Sequence, residues 1–205
     1  MIEVETKLKI HDIERLTERI IGLKGEYKGE KTELDLYFEH PDIRIFRSGS
    51  ALRVRDANGV CRLTYKGPKK DDETTSREEI EFGIESAREM QKILAELGFY
   101  VLCKVKKQRK TYLLGDLIVT LDDVEDLGEF IEVEGKASND AEYEEKKKEI
   151  FLLLNELELS SEKISQKSYL EMILDEKSLN ITYTKNRCSF PTSVTTKQPP
   201  VNHKL

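Results

Sequence analysis

Residues 1–10 read Met1-Ile2-Glu3-Val4-Glu5-Thr6-Lys7-Leu8-Lys9-Ile10. Strand side chains point alternately to opposite faces, which puts Glu3, Glu5 and Lys7 on one face and Ile2, Val4, Leu8 and Ile10 on the other. One face suits ions and the other suits packing. Two carboxylates two positions apart on a strand repel each other unless a cation or a positive side chain lies between them, so a divalent metal is a natural guest. Alone, such a stretch is far more often an ordinary solvated strand face than a metal site. Its meaning depends on what the other strands bring.

Working outward, apolar residues at Ile13, Leu16, Ile20, Ile21 and Leu23 predict an amphipathic helix over 11–25, stopped by Gly25. Strand alternation follows over 27–38, where Leu34, Leu36 and Phe38 oppose Glu33, Asp35 and Tyr37. Residues 51–66 predict a hairpin turned at Asn58-Gly59, with Arg53, Arg55, Arg62, Thr64 and Lys66 opposite Leu52, Val54, Leu63 and Tyr65, ended by Gly67-Pro68. The polar segment 69–76 reads as a mobile loop. Arg77, Glu79 and Glu81 then share one side of a strand, and Ser86 caps a helix carrying Met90, Ile93, Leu94 and Leu97.

A long strand over 99–114 is crowded with Lys104, Lys106, Lys107, Arg109 and Lys110. Two further strands follow over 117–122 and 129–134. In the second, Phe130, Glu132 and Glu134 oppose Ile131 and Val133, so the acid pair of the first strand recurs. Helices are predicted over 138–157 and 168–174. From residue 176 the apolar periodicity stops, and 176–205 reads as a polar, disordered tail behind a domain of residues 1–175.

Charged residues make up 36% of the 205 residues, yet the net charge is only -6, which argues against a simple basic surface for nucleic acid. Cys61, Cys103 and Cys188 fit neither a disulfide framework nor a zinc knuckle, so the expected setting is reducing and cytoplasmic. Neither a signal peptide nor a membrane-spanning stretch is evident. His11, His40 and His203 form no cluster, and no Gly-rich phosphate loop ends in Lys-Ser or Lys-Thr.

About eight strands interrupted by a few helices predict an α+β fold with a mostly antiparallel sheet. The helices can cover its apolar face. The charged face is either an open solvated surface or the inside of a closed barrel. Concentration of acids on some strands and of Arg or Lys on others favours an eight-stranded barrel, a tunnel with a charged interior. Lys7, Arg53, Arg55, Lys66 and basic residues of strand 99–114 would draw a polyanion into it, since Arg grips phosphate bidentately and Lys acts as a point charge. Alternation alone does not choose between Lys106 and Lys107. Glu3, Glu5, Glu132 and Glu134 would repel that polyanion unless magnesium or manganese bridged them, which implies a metal-bound triphosphate.

Glu3-Val4-Glu5-Thr6-Lys7 resembles the Glu-x-Glu-x-Lys signature of the CYTH superfamily, the triphosphate tunnel metalloenzymes. In order, Asp35-Leu36-Tyr37-Phe38, Leu52-Arg53-Val54-Arg55, Thr64-Tyr65-Lys66-Gly67-Pro68, Arg77-Glu78-Glu79-Ile80-Glu81, residues 105–112, Leu121-Asp122 and residues 128–134 continue the likeness. The resemblance implies an eight-stranded antiparallel tunnel. It also implies Glu3, Glu5 and Glu134, helped by Glu132, as ligands for Mg2+ or Mn2+. Lys7, Arg53, Arg55, Lys66, Lys107 and Arg109 would bind the phosphates, and the family spacing is what selects Lys107. Asp122, beside the reacting end, is the expected catalytic partner of Lys66 and Arg109.

The family runs two reactions in this frame, cyclisation of ATP and hydrolysis of a triphosphate. The segment from Asp35 to Arg55 looks most like the class IV adenylyl cyclase branch. Its implied partner is ATP or another triphosphate, without nucleic acid or membrane, and a homodimer is compatible with it. A triphosphatase and a non-catalytic polyphosphate binder stand as alternatives.

Overall fold

The computed structural model describes residues 2–69 and 77–184, with the side chains of residues 69, 77 and 178–184 left aside. Eight strands form one antiparallel sheet, β1 (Ile2–Lys9), β2 (Glu26–Glu39), β3 (Ala51–Ala57), β4 (Val60–Lys69), β5 (Arg77–Ile84), β6 (Tyr100–Leu114), β7 (Leu117–Val124) and β8 (Gly128–Ala137). They lie in the order β1-β8-β7-β6-β2-β3-β4-β5. The sheet curls until its two edges approach one another, so that Lys66 on β4 and Glu3 on β1 come within 3.7 Å. Among the described residues no backbone ladder joins β1 to β5; the barrel is a curled half-barrel with a seam. At one end Ile164 bridges Leu8, and Ser165 N–H donates to the Lys7 carbonyl at 2.7 Å, so a later segment covers part of the β1 edge.

The helices are α1 (Ile13–Gly22), α2 (Ala87–Glu96), α3 (Asp140–Glu156) and α4 (Tyr169–Thr184). Asp12, Ser86 and Asn139 cap the first three by accepting backbone N–H bonds. Glycine is required where α1 turns into β2, because a Cβ on Gly25 would meet the Ile20 carbonyl at 2.8 Å.

Alternation on each strand sends one set of side chains outward to the helices. Val4 and Leu8 of β1, Leu121 of β7 and Ile131 of β8 pack with Leu16 and Ile20 of α1 and with Ile150 and Leu154 of α3. Leu121 and Ile131 are fully buried, each contributing about 2 kcal/mol. On the other half of the outer face, Phe38, Val54 and Leu94 of α2 form a separate cluster. A third cluster lies on the inner side, where Cys103, Val105, Val124 and Phe130 meet Tyr169, Leu170 and Ile173 of α4. The interior is therefore charged along one part and apolar where α4 closes it.

Several boundaries shift by a few residues from the sequence expectation, and two of the shifts have a clear cause. β4 runs through Gly67-Pro68 to Lys69, because β3 pairs with β4 only as far as Lys66 and the β4–β5 register shifts there. Proline is tolerated where no ladder needs its N–H. α4 continues to Thr184, beyond residue 174, since packing of its first turns propagates helix into a segment without apolar periodicity. The expected loop at 70–76 and the tail at 185–205 lie outside the described residues.

Candidate active site

Side chains of the concave face surround a cavity of about 510 Å³. All the residues expected at the site line it except Asp122: Glu3, Glu5 and Lys7 of β1, Arg53 and Arg55 of β3, Lys66 of β4, Lys107 and Arg109 of β6, and Glu132 and Glu134 of β8. Register explains why they meet. Lys7 lies opposite Glu132, Glu5 opposite Glu134, Lys66 opposite Glu79, Glu33 opposite Lys107 and Arg109 opposite Asp122. Directly opposed side chains on one face are close enough to pair. The ambiguity in β6 is also resolved: Lys107 is buried on the inner face, whereas half of the Lys106 side chain is exposed outside.

The cations are held by carboxylates. Lys7 Nζ is 2.7 Å from Glu132 and 3.6 Å from Glu5. Lys107 Nζ sits 2.8 Å from Glu33 and 3.1 Å from Asp35. Arg55 donates to both oxygens of Asp35, at 2.6 and 2.7 Å, and Arg109 donates to both oxygens of Asp122 and also to Glu132. Arg53 bonds Thr64 at 3.2 Å and approaches Glu81. Asp122, with no exposed surface, stands behind Arg109 rather than at the cavity wall. Burial alone would raise the Glu132 carboxyl, but Lys7 and Arg109 outweigh it and hold it well below its usual range. Asp35 is held low in the same way by Lys107, Arg53 and Arg55.

The opposite condition holds by the seam. Burial and the neighbouring Glu134, Glu5 and Glu79 push the Glu3 carboxyl up to about 9, despite Lys66. Glu134 is also raised, chiefly by burial, and Glu3 shares hydrogen bonds with both Glu134 and Glu79. Such carboxyl pairs need a proton between them. A cation could take the proton's place, and the hard oxygen donors of Glu3, Glu5 and Glu134 fit magnesium or manganese. Among the described residues no three acids already converge into a finished metal centre. Glu132 is the member of the expected metal set that is committed to Lys7 and Arg109.

Alternation in β2 and β5 put Glu33, Asp35, Glu79 and Glu81 on charged faces, and only the structure turns them into partners of Lys107, Arg55, Lys66 and Arg53. Tyr169 had no such signal, because it arrives from a helix. Among the residues lining the cavity, seven acids face seven bases, so the site is near neutral until something exchanges with the pairs. His40 serves a turn, its Nδ1 accepting the N–H groups of Asp42 and Ile43. Cys61 and Cys103 are buried free thiols.

Residues 1–169 match the family described as the CYTH domain. The chain is 38% identical over 172 residues to a Methanocaldococcus jannaschii protein named "Putative adenylate cyclase", covering 84% of this chain and 98% of that protein. It is 28% identical over 181 residues to the adenylate cyclase CyaB of Aeromonas hydrophila, covering 87% of this chain and 92% of that one. A solved Pyrococcus horikoshii structure superposes with a TM-score of 0.77 at 34% identity, covering 85% of this chain and 99% of that chain. Among the described residues no helix is long and apolar enough to cross a membrane.

Proposed function

The chain belongs to the CYTH domain family, and on that premise we propose that it is a metal-dependent enzyme that converts ATP to cyclic AMP and pyrophosphate within the cavity. The observation that carries the reading is the spatial division of the site: a continuous set of buried cations, with a cluster of mutually repelling carboxyls beside it. A triphosphate exchanges for the carboxylate partners of Lys7, Arg53, Arg55, Lys66, Lys107 and Arg109. Arg55 and Arg109 are already oriented by Asp35 and Asp122, so little reorganisation accompanies binding.

Glu3, Glu5 and Glu134 would hold Mg2+ or Mn2+. The metal, when bound, supplies positive charge to the phosphate oxygens and the departing pyrophosphate. The chain's own side chains keep the triphosphate extended and shield it from water, so that the ribose 3′-hydroxyl oxygen can reach the α-phosphorus. The new P–O bond forms as the α–β phosphoanhydride bond breaks, its electron pair leaves on the pyrophosphate oxygen, and the hydroxyl proton passes to that departing pyrophosphate. Asp122 acts on this step through Arg109, which it aims. The choice of cyclisation is supported by relatives named as adenylate cyclases at 38% and 28% identity. Consumption of ATP also accords with work in the cytoplasm.

The test is to incubate the protein with ATP, and separately with inorganic tripolyphosphate, in magnesium or manganese and to resolve the products. Cyclic AMP with pyrophosphate is expected from ATP. Release of phosphate without cyclic nucleotide would make the protein a triphosphatase, and binding without turnover would make it a sensor.

A further inference from the structure

Tyr169 is the first residue of α4 and enters the cavity from outside the sheet. Its position is set before its side chain acts. Ser168 and Glu171 form a reciprocal capping box, with Ser168 N–H donating to Glu171 Oε2 at 2.6 Å and Glu171 N–H donating to Ser168 Oγ at 3.3 Å. The preceding turn is tied to the Lys7 carbonyl through Ser165. The first turn of α4 is thus fastened to the strand that carries Lys7.

The side chain makes contacts of three kinds. Its hydroxyl donates to Asp122 Oδ2 at 2.8 Å, the oxygen that also accepts Arg109 Nη2 at 2.5 Å. Its ring lies beneath Lys7, 4.0 Å from Nζ to the ring centre, and meets the Phe130 ring edge-on at 5.1 Å. Packing on Phe130 would satisfy a merely structural tyrosine. The other two contacts reach separate phosphate-binding cations.

We infer that Tyr169 is a positioning residue for the phosphate site, fixing Arg109 through Asp122 and seating Lys7 on its ring. This inference rests on the triphosphate reading above. Asp122 holds Arg109 by both Nε and Nη2, and a hydroxyl on the same carboxylate stops the pair from rotating as a unit. Lys7 is 3% exposed, so when a phosphate oxygen replaces Glu132 its ammonium needs a second source of negative potential. The ring face supplies it without having to move.

The experiment measures binding of a bis-methylene tripolyphosphate analogue, which cannot be hydrolysed, in magnesium by calorimetry. It uses the full chain, Y169F and Y169L, each with Lys7 and with K7M, and thermal melts confirm folding. Losing the hydroxyl in Y169F should weaken binding about 10-fold. Going from Phe to Leu should cost about a further 5-fold with Lys7 present and less than about twofold in the K7M background, where the more distant Lys107, 5.8 Å from the ring centre, still faces the ring. A structural role alone would make that second step equal in both backgrounds. The inference is overturned if Y169F binds within about twofold of wild type, or if the Phe-to-Leu step costs the same with and without Lys7. The Lys7 ε-methylene proton resonance gives a ligand-free check: it should lie upfield in wild type and Y169F and return to its ordinary position in Y169L. An unshifted resonance in wild type would also overturn the seating. Failure of the wild type to bind the analogue, with the Lys7 shift intact, would instead retire the triphosphate reading.

Discussion

Arg109 and Asp122 face each other across β6 and β7 and are joined by two parallel hydrogen bonds, Nε to Oδ1 at 2.6 Å and Nη2 to Oδ2 at 2.5 Å. The carboxylate is fully buried, so the pair behaves as one rigid unit that aims the guanidinium. Breaking it by substitution leaves the buried guanidinium with Glu132 as its remaining charge partner. For D122N, we expect denaturant unfolding to show a loss of about 3 kcal/mol. We also expect turnover of triphosphate to fall at least ~10-fold, since the remaining cations still bind but Arg109 is no longer held. Wild-type turnover in D122N would remove Asp122 from the mechanism.

Glu5→Gln should leave the fold intact while raising the magnesium concentration needed for half-maximal turnover. Without substrate, added magnesium should raise the melting temperature of the wild type by mass action, and the rise should be smaller in the variant. Identical metal titrations of the two proteins would show that Glu5 is not a ligand.

Glu33 gives the site a defined acid limit. Burial by itself would raise its carboxyl, but Lys107, Arg109 and Arg55 together hold it down at about 2, against 4.5 for the free group. The folded protein therefore binds this proton less readily than the unfolded chain, and the stabilisation is complete above pH 4.5. It is lost as pH falls towards about 2. Melting temperatures measured down this range should fall more steeply for wild type than for E33Q, and parallel curves would contradict the assignment.

Lys106 and Lys107 are adjacent, and their substitutions should diverge. K107M removes the buried ammonium that Glu33 and Asp35 share, leaving both carboxylates to Arg55, and should cost about 2–3 kcal/mol in equilibrium unfolding. K106M removes only a 3.9 Å contact with exposed Glu125 and should change stability by less than about 0.5 kcal/mol. Similar effects from both would place the register of β6 in error.

Alternation by itself placed Glu3, Glu5 and Lys7 on a charged face and Val4 and Leu8 on an apolar one, because the strand period is a property of the local backbone. It did the same for Arg53 with Arg55 and for Glu132 with Glu134. Ser86 and Gly25 marked helix ends for equally local reasons. Glu33, Asp35, Glu79 and Glu81 were also visible on charged faces, yet their partners were not, since a partner depends on the register of the neighbouring strand.

What the amino-acid sequence determined is therefore a list of faces, together with the family that this ordered list resembles. Tertiary structure decided where the charges go: Glu132 to Lys7 and Arg109, Asp122 behind Arg109, Glu79 to Lys66, and Glu3 crowded against Glu134 by the seam. It also decided that Tyr169, from a helix far along the chain, completes the site. Side-chain period is written residue by residue, whereas sheet curvature, register and helix docking arise from contacts between segments that no local pattern encodes.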